Sequence, residues 1–200
     1  MKKRILSILL FTGGLLAGNC QPLKNGDLIF VVEGKSDFSK AISSATASND
    51  SIRLVHVGII AGNEDEKFSV IEASPEEGVR EIPFEIFKEK NPLTVIKRLK
   101  IDFPIDKMVE RARAHIGEEY DWWYLPDNDK MYCSELVFET YLDYNGRHIF
   151  PSKPMNFRAP DGSMPQFWTD LFKELGQPVP EGIEGTNPND ISNSLFLEEI

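Results

Sequence analysis

The sequence predicts an α+β fold in which an antiparallel sheet packs with helices. Short apolar runs that are typical of strands fall between residues 28 and 99. Helical spacing of apolar residues follows, first over 105–116 and then over 134–144. Neighbouring strands joined by a short loop usually pair, so we expect the strand-rich half to form the sheet.

Length and composition set the protein class. The chain has 200 residues, of which 41% are hydrophobic, and this indicates a single packed domain rather than a disordered chain. Lys and Arg number 22 against 32 Asp and Glu, so the formal net charge is −10. A chain this acidic lacks the basic surface that nucleic-acid binding requires, and no nucleic-acid partner is expected.

The N-terminus has the pattern of an export signal. Lys2, Lys3 and Arg4 precede a short apolar stretch that ends in small residues before Cys20. We therefore expect residues 1–19 to be a signal peptide and 20–200 to be the mature domain. The segment before Cys20 resembles a bacterial lipobox, which implies a lipid anchor on Cys20 and a place in the cell envelope. Plain secretion is the alternative.

The strands are expected at 28–32, 55–60, 68–73, 79–82 and 93–99. Strict alternation in the second strand places Val55, Val57 and Ile59 on one face and His56 with Gly58 on the other. Gly58 has no side chain, so we expect space beside His56 for another group or for substrate. In the third strand, Glu72 shares a face with Phe68 and Val70.

Longer helices are expected at 105–116 and 134–144, and an amphipathic stretch at 165–175. Within 36–51 a short helix should run into a loop, and Pro83 should start a short helical link between the fourth and fifth strands. Gly117 should end the first of the two longer helices, and Asn145 with Gly146 should end the second. Extending the apolar face of the second longer helix backwards reaches Cys133. From about residue 176 a Gly/Pro-rich extension follows, and we expect it either to wrap over the core or to cover a groove.

Cys133 is the first candidate for chemistry. If Cys20 is lipidated, Cys133 is an unpaired thiol in an oxidising compartment, where such thiols are prone to oxidation. At the first turn of a helix, the dipole and the free N–H groups favour the thiolate. The alternative is an inert, buried core cysteine.

His56 and Glu72 complete the candidate arrangement. His56 can supply a base for the thiol, and Glu72 on a neighbouring strand can hold the second ring nitrogen. Each also has a plain structural interpretation, as a hydrogen-bonded strand histidine and as a solvated carboxylate. The other histidines, His115 near a helix end and His148 in a loop, are interpreted as bystanders. The three histidines lack the close ligand spacing of zinc sites, so neither metal nor cofactor is expected.

Five short motifs, in order, resemble the YaeF/YiiX group of circularly permuted papain-like enzymes, which is related to the NlpC-type cell-wall peptidases. They are Gly26-Asp27-Leu28-Ile29-Phe30, His56-Val57-Gly58-Ile59, Ile71-Glu72-Ala73, Tyr120-Asp121 and Tyr132-Cys133-Ser134-Glu135-Leu136-Val137. The histidine strand precedes the cysteine helix, as a permuted papain-like fold requires.

This resemblance implies roles for individual residues. Cys133 would be the nucleophile, His56 the general base and Glu72 the residue that orients His56. Tyr120, at the end of a Gly-x-x-Tyr element that begins at Gly117, and Ser134 are candidates for contacts with the substrate or the oxyanion. Tyr120 could equally be a packed aromatic residue.

The function expected on this basis is an exported cysteine amidase or peptidase that hydrolyses an amide bond through an acyl-enzyme. Its substrate would be a cell-wall peptide or another N-acyl amine, and its membrane contact would be the anchor on Cys20. Two alternatives stay open: a lipid acyl hydrolase or acyltransferase resembling the lecithin:retinol acyltransferase group, and a non-catalytic binding module of the envelope. An apolar tunnel beside Cys133 would favour lipid chemistry, and a polar cleft would favour peptides.

Overall fold

The structure is a computed structural model that describes residues 21–46, 52–62 and 67–200. The predicted signal peptide and Cys20 lie outside these residues. In the described part of the chain, no helix is both long enough and apolar enough to cross a bilayer.

Ten strands and six helices make up the described chain. The strands are β1 (Leu28–Val32), β2 (Leu54–Gly62), β3 (Phe68–Ser74), β4 (Gly78–Pro83), β5 (Thr94–Leu99), β6 (Glu119–Tyr120), β7 (Lys130–Met131), β8 (Lys153–Pro154), β9 (Glu184–Gly185) and β10 (Leu197–Glu199). The helices are α1 (Asp37–Ala45), α2 (Phe84–Lys90), α3 (Ile105–Ala114), α4 (Cys133–Thr140), α5 (Gln166–Glu174) and α6 (Pro188–Ser192).

The main sheet has six strands in the order β10-β5-β1-β2-β3-β4, and each neighbouring pair is antiparallel. Helix α4 packs on β2 and β3, and α3 packs on α4. This is the α+β architecture that the sequence predicts, and every strand expected between 28 and 99 is present. The helix α4 therefore lies directly against the two strands that carry His56 and Glu72.

The alternation expected in β2 is wrong at its first residue. Val57 and Ile59 belong to the main core, which α4 helps to form, whereas Val55 packs with Ile60 in a second apolar cluster. The pairing with β1 explains the difference, since His56 stands opposite Val31 and Leu54 stands opposite the next residue. Val55 is therefore the extra residue of a β-bulge, which shifts the side-chain alternation just before His56.

Of the two uses expected for the space at Gly58, another group or substrate, the structure shows the first. A Cβ atom on Gly58 would lie 2.5 Å from Cγ1 of Val70 and 3.5 Å from Cγ2 of Ile29. The space left by the missing side chain is thus filled by neighbouring strands and is not open to substrate. Gly58 serves close packing within the sheet.

Helix α4 ends earlier than the sequence pattern indicates. It stops at Thr140, and the backbone then forms a bridge between Leu142 and His148. The Tyr141 hydroxyl donates a buried hydrogen bond to the Gly26 carbonyl, 2.9 Å away, which fixes the chain at the helix end. Tyr144, at the end of the range expected to be helical, lies beyond α4 and is 66% exposed.

The C-terminal segment takes part in the fold. Strand β10 extends the main sheet at β5, where Leu197 pairs with Leu99. Of the three consecutive apolar residues near the C-terminus, Leu197 is buried, whereas Leu195 and Phe196 are exposed. Asn189 of α6 forms hydrogen bonds of 3.0 and 2.8 Å to the N–H and C=O of Leu54, so this segment is tied to the start of the strand that carries His56.

Candidate functional site

The candidate site lies where α4 meets β2 and β3. Cys133 is the first residue of α4, and its side chain is 5% exposed. It forms no disulfide within the described residues. The first backbone bond of the helix runs from the N–H of Leu136 to the C=O of Tyr132, so the N–H groups of Cys133 and Ser134 precede the helical ladder.

The ring of His56 contacts a carboxylate and lies close to the sulfur of Cys133. Its Nε2 is 2.6 Å from Oε2 of Glu72, and the side chain of Cys133 is near enough to raise the pKa of the ring. The structure thus brings together the three residues expected from the sequence. The contact between His56 and Glu72 is a diagonal cross-strand contact, because the pairing of Ile59 with Ile71, continued by one residue, sets Gly58 opposite Glu72.

Two further elements hold this arrangement. The His56 ring stacks on Phe87 of α2, with ring centroids 6.2 Å apart, and its side chain is 16% exposed. Arg80 on β4 stands directly opposite Glu72 and donates from Nε and Nη2 to its Oε1, at 3.0 and 2.7 Å. Arg80 did not emerge from the sequence pattern.

The surroundings of His56 and Glu72 favour the charged form of both side chains. Burial alone would lower the pKa of His56, but the hydrogen bonds and charges of Cys133 and Glu72 outweigh it and raise that pKa to about 10. Burial would raise the pKa of Glu72, but His56 and Arg80 outweigh it and lower that pKa to about 2. At neutral pH the ring is therefore positive and the carboxylate negative, and an imidazolium next to the sulfur stabilises a thiolate.

The helix N-terminus carries one more carboxyl group, that of Glu135, which accepts a hydrogen bond from the Tyr132 N–H at 3.3 Å. Burial raises the pKa of Glu135 to about 8. The hydrogen bond from Tyr132 lowers this pKa, but the charge of Asp121 adds to the effect of burial. A protonated Glu135 places no negative charge on the first turn of α4. The dipole of this turn therefore acts on Cys133 without an opposing carboxylate.

Backbone hydrogen bonds to β4 hold the segment that carries Tyr120. The Val79 N–H donates to the Glu118 carbonyl, and the Gly117 N–H donates to the Val79 carbonyl, each at 2.9 Å. Tyr120 is 6% exposed, and its hydroxyl lies 3.4 Å from that of Tyr124. Burial raises the pKa of both phenols, which stay protonated and can donate hydrogen bonds.

Tyr124 is a second residue that sequence reasoning missed. Its φ of 53° is unusual for a residue with a side chain, and such backbone conformations concentrate at functional sites. No sequence pattern signals it, because the conformation belongs to an irregular loop. Ser134 is buried and lines the same hollow as Cys133.

Two hollows lie at the candidate site, one lined by Cys133 and the other by His56. The first, about 260 Å³, is lined by Cys133 and Ser134 together with a mainly apolar and aromatic wall. That wall includes Ile42, Ala45, Tyr124, Tyr132, Met155, Phe157 and Trp168. The second, about 580 Å³, is lined by His56, Glu72 and Arg80 and by further charged residues. Ile42, Val55 and Tyr120 border both hollows, which therefore adjoin.

The other histidines lie elsewhere. His115 Nδ1 is 2.9 Å from Oε1 of Glu118, and the His148 ring stacks on Phe138 with centroids 3.9 Å apart. The partners of both histidines lie outside the candidate site. Among residues 21–46, 52–62 and 67–200, no three His, Cys, Asp or Glu side chains cluster closely enough to hold a metal ion.

Comparison with known proteins shows the family of this chain. Residues 22–200 match the family model described as permuted papain-like amidase enzyme, YaeF/YiiX, C92 family. The chain belongs to this family. It is 26% identical over 185 residues to the uncharacterized protein YiiX of Escherichia coli strain K12. The aligned region covers 90% of this chain and 86% of that protein.

A solved structure supports the fold. The crystal structure described as metalloprotein yiiX from Escherichia coli O157:H7 superposes with a TM-score of 0.72 at 23% identity. The match covers 90% of this chain and 97% of that one. The permuted papain-like fold expected from the order of the histidine strand and the cysteine helix is thereby confirmed.

Proposed function

We propose that this chain is a thiol-dependent amide hydrolase of the YaeF/YiiX family, with Cys133 as nucleophile, His56 as general acid and base, and Glu72 as the carboxylate that orients His56. One observation carries the proposal: Nε2 of His56 is 2.6 Å from the Glu72 carboxylate, and the Cys133 side chain is close enough to the same ring to raise its pKa. This is the arrangement of an activated nucleophile, its base and an orienting group.

The geometry supports the following reaction. The Cys133 thiolate attacks the amide carbonyl carbon, and the negative oxygen that forms is stabilised by N–H groups at the start of α4 and by the Tyr120 hydroxyl. The C–N bond breaks as His56 gives its proton to the departing nitrogen, which leaves a thioester on Cys133. Water then attacks the thioester while His56 accepts a proton from the water. The C–S bond breaks, the carboxylic acid leaves and the Cys133 thiolate is regenerated.

The two hollows indicate which part of the substrate goes where. The acyl group stays bonded to sulfur, so it occupies the apolar hollow of about 260 Å³ that Cys133 lines. The amine receives its proton from His56, so it leaves through the polar hollow that His56 lines. We therefore propose an N-acyl amine, or a peptide with an apolar residue on the acyl side, as the substrate.

A series of N-acyl amines with one common amine and acyl chains of increasing length tests this assignment. Burial of each added CH2 is worth about 0.8 kcal/mol, so kcat/KM should rise roughly fourfold per CH2 until the hollow is full. Ala45→Leu, which narrows the hollow, should lower the rate for the longest chains and spare the acetyl compound. The matched control is Ala114→Leu, on an exposed part of α3 outside the lining. Rates that ignore chain length would contradict the assignment.

Loss of the nucleophile is the direct test of the activity itself. Cys133→Ala should abolish turnover, whereas Cys133→Ser should retain a small fraction, because the hydroxyl is a weaker nucleophile. Mass spectrometry should find the acyl group on the tryptic peptide that contains Cys133. Turnover by the Ala variant at the parent rate would refute the proposal, and ligand binding without turnover by the parent chain would favour a binding module.

The aromatic wall of the first hollow favours one second candidate, a thiol acyl hydrolase or acyltransferase that acts on lipids. An ester-linked acyl chain would occupy the same hollow, and an alcohol would replace the amine as leaving group. Comparing acylation of Cys133 by a phospholipid and by an N-acyl amine of equal chain length distinguishes the two. Faster acylation by the phospholipid would favour the lipid enzyme.

We also propose that the protein is exported and anchored through Cys20. Lys2, Lys3 and Arg4 followed by an apolar stretch support this. Expression of the full chain in a bacterium should give a membrane-associated product whose N-terminus is an acylated Cys20. Cys20→Ser should release it in soluble form, and an uncleaved N-terminus in the parent protein would exclude the proposal.

A further inference from the structure

Arg80 holds the carboxylate on which the His56 ring depends. In the antiparallel pair of β3 with β4, Arg80 stands directly opposite Glu72, and two of its N–H groups converge on Oε1. The other oxygen of Glu72, Oε2, is the one that lies 2.6 Å from His56. Each carboxylate oxygen thus has its own partner, and the plane of the carboxylate is fixed from both sides.

We propose that Arg80 is a positioning residue of the candidate site, which acts through Glu72 to keep the carboxylate ionised and aimed at His56. A two-point guanidinium contact fixes direction as well as charge, which a single ammonium contact does not. The inference rests on the proposed function for its effect on turnover. The arrangement itself can be tested without a substrate.

Burial shields this contact from solvent. The side chain of Arg80 is 16% exposed and that of Glu72 is 5% exposed, so solvent competes little with the pair. An unpaired carboxylate at this position would be costly to ionise. Arg80 is one of the two groups, with His56, that outweigh burial and lower the pKa of Glu72.

Charged groups face Glu72 from the two neighbouring strands and line the hollow beside it. His56 faces it from β2 and Arg80 from β4, while Cys133 on α4 acts through the ring of His56. Glu77, in the turn between β3 and β4, forms an ion pair with Arg80 and is 59% exposed. The remaining charged residues along the same hollow are Glu33, Glu76 and Lys90.

The test measures how fast iodoacetamide alkylates Cys133 as a function of pH. Tryptic cleavage after Lys130 and Arg147 isolates Cys133 in one peptide, so Cys20 does not interfere. When Glu72 becomes protonated, His56 loses its charged partner and the thiolate loses its support. The acid limb of the profile, which is the fall in alkylation rate at low pH, follows protonation of the Cys133 thiolate. It should therefore move to higher pH when Glu72 gives the charge on His56 less support.

In Arg80→Met we expect the acid limb to move upward by about one pH unit, because Glu72 loses a charge-assisted contact. Arg80→Lys keeps the charge but cannot make the two-point contact. Its acid limb should lie between that of the parent and that of the Met variant. Arg113→Met is the matched control, since Arg113 makes a similar two-point contact to Glu81 away from Cys133. Its limb should coincide with that of the parent.

Melting temperatures are measured on all four proteins, so that loss of stability is separated from loss of positioning. A parent-like acid limb in either Arg80 variant, with stability lowered as in Arg113→Met, would overturn the inference. The Lys variant preserves this test if the Met variant does not fold. Failure of the proposed function would look different, because turnover would then persist in Cys133→Ala whatever the acid limbs show.

Discussion

His56 and Glu72 are joined across two strands by a 2.6 Å contact between Nε2 and Oε2. The contact runs diagonally between neighbouring strands, so it depends on the register of β2 and β3, which pairs Ile59 with Ile71. A slip of one residue would turn one of the two side chains to the other face of the sheet. The sheet therefore fixes the candidate site as much as the side chains do.

Replacement of Glu72 by Gln removes the charge while keeping a side chain of nearly the same shape. A hydrogen bond to a charged group is worth about 1.5–3 kcal/mol, so Cys133 reactivity at neutral pH should fall roughly ten- to a hundredfold. The measurement is the rate of iodoacetamide alkylation at Cys133. Glu81→Gln, at a carboxylate of β4 that pairs with Arg113, is the control and should leave the rate unchanged.

The stability of the protein should depend on pH through the same pair. The pKa of Glu72 is lowered to about 2 from 4.5, so its contribution is present above pH 4.5 and is lost as the pH falls towards 2. The pKa of His56 is raised to about 10 from 6.5, so its contribution is present below pH 6.5 and is lost as the pH rises towards 10. The stability difference between the parent and Glu72→Gln should therefore be largest between pH 4.5 and 6.5 and shrink on both sides. A difference that does not vary with pH would contradict this.

Gly58→Ala tests whether the space at Gly58 serves packing. The new Cβ would lie 2.5 Å from Cγ1 of Val70, so the variant should be destabilised by about 1–3 kcal/mol in urea unfolding. Val70→Ala in addition removes the clashing methyl group, and the double variant should recover part of the loss beyond the sum of the single changes. Strict additivity would show that Val70 does not fill that space.

Glu135→Gln should leave Cys133 reactivity at pH 7 within about twofold of the parent, because a group with a pKa of about 8 is already mostly protonated there. The raised pKa means that Glu135 destabilises the fold progressively as the pH rises from 4.5 towards 8. The Gln variant should therefore be more stable than the parent at pH 9 and gain little at pH 4. Equal gains at both values would show that Glu135 is not protonated at neutral pH.

Local sequence pattern was enough to predict the sheet, the helices that flank it and the residues around Cys133. The apolar runs that form β1 to β5 are short and clearly bounded, and the helical face of α4, extended backwards, reaches Cys133. The resemblance of five short motifs, in order, to the YaeF/YiiX group then indicated the family that residues 22–200 match.

Features that depend on contacts between distant segments were not predictable in this way. The bulge at Val55 appears when β2 pairs with β1, and α4 stops at Thr140 where Tyr141 reaches the Gly26 carbonyl. Strict periodicity over one segment contains no information about either contact.

Arg80 is an intermediate case. The hairpin between β3 and β4 has a short turn, so pairing Ser74 with Gly78 sets Arg80 opposite Glu72. Assigning that register from the sequence would have shown an acidic and a basic residue facing each other next to the candidate histidine. The signal was present in the turn length, and it needed a pairing argument rather than a pattern within one strand.

The central claim is that His56, positively charged and held by Glu72, activates the sulfur of Cys133. Its most direct test is the alkylation rate of Cys133 from pH 5 to pH 10 in the parent and in His56→Ala. We expect a high rate in the parent that is nearly constant through neutral pH, and at pH 6 a rate at least about tenfold lower in the variant, rising with pH. Superimposable profiles of parent and variant would contradict the account.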